Sequence, residues 1–156
     1  QVEFGLKWGI NRLGGGFLQG FLIGGGEHRS DKAFCLEGVD QHIGVFGEAP
    51  EVYGYDRGGY SRANIKRLKK KGIKQVGVAP KGKDDWSVGK TLKEKIKRER
   101  AQVEGSIGSI KSKRYGFNKP NAKSTEAMHR CGHRSILGFN LMKLTREIGK
   151  IQMAAI

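Results

Sequence analysis

Cysteine is nearly absent from this 156-residue chain. Cys35 and Cys131 are too few and too far apart for a disulfide framework, and a reducing cytoplasm is the expected compartment. Proline is equally scarce, and each of the three marks a boundary. Pro50 precedes a strand, Pro80 closes another, and Pro120 interrupts the segment that follows a long charged helix. No apolar run approaches the ~20 residues that cross a bilayer as a helix, so no membrane partner is expected. Repeats and low-complexity linkers are also missing, which makes one α/β unit the simplest description. No methionine opens the chain, so sequence upstream of Gln1 is expected.

Positive charge is what the chain has in excess. Thirty Lys and Arg against fifteen Asp and Glu give +15, and the imbalance is uneven. Residues 1–56 hold four basic and eight acidic side chains, net −4, whereas residues 57–156 hold 26 and seven, net +19. A polycation of that density attracts polyanions, and nucleic acid is the commonest of them.

Alternating apolar residues over 2–10 (Val2, Phe4, Leu6, Trp8, Ile10) have the period of a half-buried strand. The glycines at 14–16 then offer a turn into a second strand over 17–23, a hairpin pattern. Ser30 or Asp31 can cap a helix carrying Phe34, Cys35, Val39, Ile43 and Phe46 and ending near Gly47. A strand over 52–56 leads to a basic helix capped at Ser61 and closed by Gly72, and a short strand follows over 75–79. A loop is expected over residues 81–85, with Asp84 and Asp85, and a charged helix is predicted from Ser87 to about Lys111. A final helix begins at 124–126 and is predicted to bury Met128, Ile136, Leu137, Phe139, Leu141, Leu144 and Ile148.

Two acids draw attention by position. Asp56 ends an apolar-aromatic strand and precedes Arg57-Gly58-Gly59-Tyr60-Ser61, where an isolated aspartate would ordinarily cap the turn or the next helix. Glu104 lies four residues after Arg100 and seven before Lys111, and at about 100° per residue the three share a helix face within roughly 40°. Alone, Glu104 and Arg100 would be a surface ion pair of ~0.3–0.5 kcal/mol. Carboxylates converging from a strand end and a helix supply hard oxygen ligands for divalent-metal phosphodiester chemistry.

The remaining constellations are plainer. His129-x-Cys131-x-His133 lacks a second ligand pair and reads as a packed or solvated helix rather than a zinc site. The glycine triplets at 14–16 and 24–26 lack the Lys-Ser/Thr of a phosphate loop and are turns. Trp8, Tyr60, Trp86 and Tyr115 could stack on bases, although Trp8 is in phase with core positions.

Asp56-Arg57-Gly58-Gly59-Tyr60-Ser61, then Arg100-x-x-x-Glu104 and Lys111, resemble the second and final acids of bacterial insertion-sequence DDE transposases. Phe4-Gly5-x-Lys7, the basic segment at Tyr115-Gly116 and Gly138-Phe139-Asn140-Leu141 extend the resemblance over nearly the whole chain. It implies a ribonuclease-H-like fold, an α/β mixed sheet flanked by helices, lacking its N-terminal portion. It implies a two-metal site for Mg²⁺ or Mn²⁺ held by Asp56 and Glu104, and DNA contacts from Arg100 and Lys111, with the basic residues Lys69, Lys70, Lys71 and Lys97 flanking them. The implied activity is endonucleolytic cleavage of transposon ends and strand transfer to target DNA, by a homo-oligomer on DNA in the cytoplasm, associated with the nucleoid.

Two departures stand out. Lys97 occupies the place where many relatives have tyrosine. The family's first aspartate has no counterpart here: Asp31 reads as an N-cap, Asp40 is within a helix, and Asp84 and Asp85 lie in a lysine-flanked loop. Residues 1–156 are therefore expected to be a partial catalytic domain whose first aspartate lies upstream of residue 1, inactive by itself. The alternatives are a non-catalytic basic nucleic-acid-binding module and a remnant that inhibits an intact transposase.

Overall fold

In the computed structural model the described residues are 5–26, 29–80, 82, 86, 88–118 and 122–154. Val2 and Phe4 of the predicted first strand, Asp84 and Asp85 of the predicted loop, Ser87 and Pro120 lie outside them. The element order is β1 (Trp8–Arg12), β2 (Leu18–Leu22), α1 (Asp31–Phe46), β3 (Val52–Tyr55), α2 (Arg62–Lys70), β4 (Gln75–Val78), α3 (Lys90–Ile110) and α4 (Thr125–Ala154). The chain is of the α/β class and divides into two compact units. The central unit is Phe21–Gln102; the terminal unit joins Gln1–Gly20 to Val103–Ile156.

The central unit follows its local signals closely. Ser30, rather than Asp31, caps α1, its hydroxyl accepting from the Ala33 N–H at 3.3 Å. Gly47 ends the helix in the left-handed region at φ 78°, its N–H donating to the Ile43 carbonyl at 2.7 Å. Ser61 caps α2 by accepting from the Asn64 N–H at 3.0 Å. Because a helix connects them, β3 and β4 can run parallel, and they do so in the register Val52 to Gln75, Tyr53 to Val76, Gly54 to Gly77 and Tyr55 to Val78. Cys35, Val39, Tyr53, Leu68, Ile73, Val76 and Val78 form the core, and the Tyr53 hydroxyl is satisfied there by donating to the Cys35 carbonyl at 3.0 Å.

In the terminal unit β1 leads through the Gly14–Gly16 turn into β2, a connection too short for a parallel crossover, so the pair is a hairpin. The first strand begins at Trp8, later than the alternation suggested. Its core is small: Leu18, Ile110 and Ile136, with Trp8, Ile10, Phe117 and Phe139 packed around them. Gly132 lets the indole approach α4 closely, since a Cβ there would sit 2.2 Å from the Trp8 ring. Asn140 fastens α4 to the hairpin. Its side chain accepts from the Leu18 N–H and donates to the Leu18 carbonyl, both at 2.8 Å, as a neighbouring strand would.

Two expectations change. The sheet is not one mixed sheet; the described strands form two separate two-stranded sheets, β1 with β2 and β3 with β4. And α4 buries far less than its apolar content suggested. Ile136 is 5% exposed, but Leu137, Leu141, Leu144 and Ile148 are 58, 54, 45 and 46% exposed. One helix face can lie on so small a core, and Gly132, Ser135 and Ile136 already occupy it.

Candidate functional site

Asp56 immediately follows β3, at the carboxyl end of a parallel strand pair, where open α/β sheets place their ligands. It precedes the tight turn Arg57–Gly59, yet its side chain makes no capping hydrogen bond there. The α2 cap is Ser61 instead. The carboxylate is therefore not consumed by local structure. Its partner is Arg100: Oδ1 lies 2.9 Å from the guanidinium NH2, with the side chains 62% and 41% exposed.

The register of that pair follows from two glycines. Gly54 and Gly77 are paired across the sheet, and a Cβ on either would sit 2.8 or 2.3 Å from the Ile96 Cδ1 atom. Ile96, 3% exposed, thus seats α3 in a notch that only glycines leave open. From Ile96 to Arg100 is four helical residues, about 6 Å of rise, and from Gly54 to Asp56 is two strand residues, about 6.6 Å. Seating Ile96 over Gly54 thereby carries Arg100 to Asp56. Sequence reading missed Ile96, Gly54 and Gly77. A glycine in the middle of each short strand was the available signal, since strand glycine marks a close approach.

The turn beneath Asp56 is braced. A Cβ on Gly58 would meet the Asp31 carboxylate at 2.4 Å, and one on Gly59 would meet Tyr55 at 2.5 Å and Cys35 at 2.8 Å, so the turn lies tight against α1. Buried Asn64 ties three segments together by donating to the Lys32 carbonyl at 3.0 Å and the Gly59 carbonyl at 2.9 Å. Burial pushes the Cys35 thiol up to about 12, which makes it an unreactive core group. The Tyr55 phenol is also raised, first by burial and then by Asp31, Cys35 and Asp56.

The basic residues are mostly at the surface. Lys69 and Lys70 are exposed in the last turn of α2, whereas Lys71, at its C-cap, forms an ion pair with Asp40. Lys97 is exposed on α3, one turn before Arg100 and about 60° from it round the helix. Glu104 is exposed on the portion of α3 that belongs to the terminal unit, and Lys111 is exposed just past the end of that helix. Among the described residues no group of three or more His, Cys, Asp or Glu is gathered as a metal centre. His129 and His133 approach each other at 3.0 Å between their Nε2 atoms and pack on Trp8, with ring centroids 5.7 and 4.9 Å away. The His133 imidazole is lowered by burial and by His129. Trp8 is thus engaged within its own unit.

No family model, curated protein or solved structure matches the chain. No helix among the described residues is long and apolar enough to cross a membrane.

Proposed function

We propose that this chain is part of the ribonuclease-H-like catalytic domain of a DDE transposase acting on DNA, with Asp56 and Glu104 as carboxylate ligands for Mg²⁺ or Mn²⁺. The observation that carries the reading is Asp56: a strand-end carboxylate free of capping duty, at the carboxyl edge of a parallel pair and beside an arginine. Its chemistry fits a hard cation, which takes oxygen ligands. A half-exposed ion pair is worth ~0–1 kcal/mol, so Arg100 can release the carboxylate at little cost. A cation pair held there would supply activation of the attacking oxygen and stabilisation of the leaving one.

The chain's own residues bind and orient. Released from Asp56, Arg100 presents a planar fork suited to a phosphate, Lys97 adds positive charge on the same helix, and Lys111 is a further candidate phosphate contact. Lys69 and Lys70 extend the basic surface along α2, and Lys71 joins them where the phosphate competes with Asp40. Such a surface grips backbone phosphates rather than base edges, as a protein does that must act at any target sequence.

The test is metal binding at Asp56, followed by nuclear magnetic resonance with Mn²⁺. Paramagnetic broadening centred on the amides of residues 55–58, abolished by Asp56→Asn, is expected. Broadening elsewhere only, together with intact DNA binding, would leave the non-catalytic basic module as the better reading. A second measurement follows DNA affinity against salt. The slope should fall by about 0.9 for each of Lys69, Lys70 and Lys71 that contacts a phosphate when it is changed to Ala.

A further inference from the structure

His129 and His133 take no part in the DNA chemistry proposed above, yet they form a directed pair. One helical turn apart on α4, they fall within about 40° of each other round the helix. Their Nε2 atoms lie 3.0 Å apart, while the ring centroids are 4.6 Å apart with the planes at 70°. Nitrogens that are closer together than the rings carrying them mean that both rings aim Nε2 at one region of space. Solvent reaches that region, since His133 is exposed and His129 half-buried. Cys131, between them in sequence, lies about 160° round the helix from either and is not a third ligand.

The pair is braced by aromatic packing. Both imidazoles lie against Trp8, with centroids 5.7 and 4.9 Å away, and Trp8 is itself held by Phe117 at 5.4 Å and by its close approach over Gly132. The rings therefore stand in place before any ligand arrives, which lowers the entropic cost of binding one. Burial and the neighbouring His129 both lower the His133 imidazole, so the pair is neutral at neutral pH. Two neutral imidazoles can share one hydrogen bond, with one ring donating and the other accepting. When both rings instead carry their proton on Nδ1, both Nε2 lone pairs are free for a metal ion, and no net proton is lost or gained.

The separation of the nitrogens selects the ion. Metal–imidazole bonds are ~2.0–2.1 Å long, so two that meet at a right angle set their nitrogens ~2.8–3.0 Å apart, and two that meet at the tetrahedral angle ~3.3–3.4 Å. The 3.0 Å between the two Nε2 atoms fits the right angle. We infer that His129 and His133 form a two-nitrogen site on α4 for a divalent transition ion with right-angle bonds, Ni²⁺ or Cu²⁺, in preference to tetrahedral Zn²⁺. Two protein ligands fall short of the four that close a structural zinc site, so water fills the other positions. Glu126, one turn earlier on α4, is engaged with Arg130 at 3.3 Å. Imidazole suits such ions and carboxylate suits Mg²⁺ or Mn²⁺, so the inference does not depend on the transposase reading.

Calorimetric titration of the full chain with Ni²⁺, and separately with Zn²⁺, tests it at neutral pH in a buffer that does not chelate. Ni²⁺ serves as the probe because, unlike Cu²⁺, it does not oxidise the free thiol of Cys131. One Ni²⁺ per chain is expected, bound more tightly than Zn²⁺. His129→Ala and His133→Ala should each weaken Ni²⁺ by more than ~10-fold, the loss that removing even an outer-shell partner of a metal causes. Cys131→Ser and His42→Ala should leave the affinity unchanged, since Cys131 points away from the pair and His42 packs on Phe46 within α1. Circular dichroism of each variant separates loss of the ligand from loss of the helix, and His133→Gln repeats the measurement with a polar side chain if alanine unfolds α4. Ni²⁺ affinity that survives removal of either histidine would overturn the proposal. Zn²⁺ bound more tightly than Ni²⁺ would overturn it too, by replacing the right-angle site with a tetrahedral one.

Discussion

The central and terminal units solve the same problem with different completeness. In the central unit two helices and a parallel strand pair enclose seven buried residues, from Cys35 to Val78. In the terminal unit a hairpin and parts of two helices enclose three, and most of the apolar content of α4 remains outside. Both seat a large side chain in a place vacated by glycine, Ile96 over Gly54 and Gly77 in one, Trp8 over Gly132 in the other. The lesson is that apolar periodicity measures what a segment can bury. What it does bury depends on how many neighbours the rest of the fold supplies.

The sharpest way to break this comparison is deletion of core volume. Leu68, fully buried, should cost about 2–5 kcal/mol as Leu68→Ala, whereas Leu141→Ala, at a site 54% exposed, should cost the monomer less than ~0.5 kcal/mol. Urea unfolding followed by circular dichroism at low protein concentration checks both. Equal losses would mean that α4 is covered within its own chain.

Next comes the notch. Gly77→Ala places a methyl 2.3 Å from the Ile96 Cδ1 atom and should destabilise by about 1–3 kcal/mol through overpacking. Adding Ile96→Ala removes the clashing atoms, so the pair should be less destabilised than the sum of the two single changes. A double-mutant cycle in urea measures the coupling, and simple additivity would show that α3 is not seated there.

The core thiol gives a pH-dependent contrast of intermediate size. With Cys35 raised from 9.0 to about 12, the folded chain holds a proton that the unfolded chain gives up above pH 9. The unfolded state then binds fewer protons, so stability is full below pH 9 and falls as pH rises towards 12, by at most ~1.4 kcal/mol per unit. Tyr53, raised by burial first, acts in the same direction. Unfolding midpoints at pH 7 and 10.5 should differ, and Cys35→Ala should reduce the difference.

The smallest expected effect on stability is at the site itself. Arg100→Ala should change folding by no more than ~1 kcal/mol, because the Asp56 pair is half exposed, and yet it should weaken DNA binding. Fluorescence anisotropy and urea titration on one preparation separate the two. A large stability loss with unchanged DNA affinity would make the pair structural.

Much of the central unit was legible because its signals are local. Ser30 and Gly47 bracket α1, Ser61 and Gly72 bracket α2, and the strands before Asp56 and Pro80 appear where the β-rich runs stand. The position of Asp56 at a strand end was legible for the same reason. Its pairing with Arg100 was not, since they are linked through Gly54, Gly77 and Ile96, residues that meet only after β3 and β4 have paired. On α4 the apolar residues are visible in the sequence, but of Ile136, Leu137, Leu141, Leu144 and Ile148, all of which the pattern places in a core, Ile136 alone is fully buried.

By itself the sequence determined the ends of α1 and α2, the places of β3 and β4 and the concentration of positive charge after Asp56, because caps, turns and net charge are properties of neighbouring residues. Only the tertiary structure decided that the strands form two pairs rather than one sheet, that Asp56 faces an arginine rather than its own turn, and that α4 keeps an apolar face uncovered. Each of those outcomes depends on strand register or on the extent of a neighbouring surface. Both are fixed by contacts between residues far apart in the chain, which no local pattern encodes.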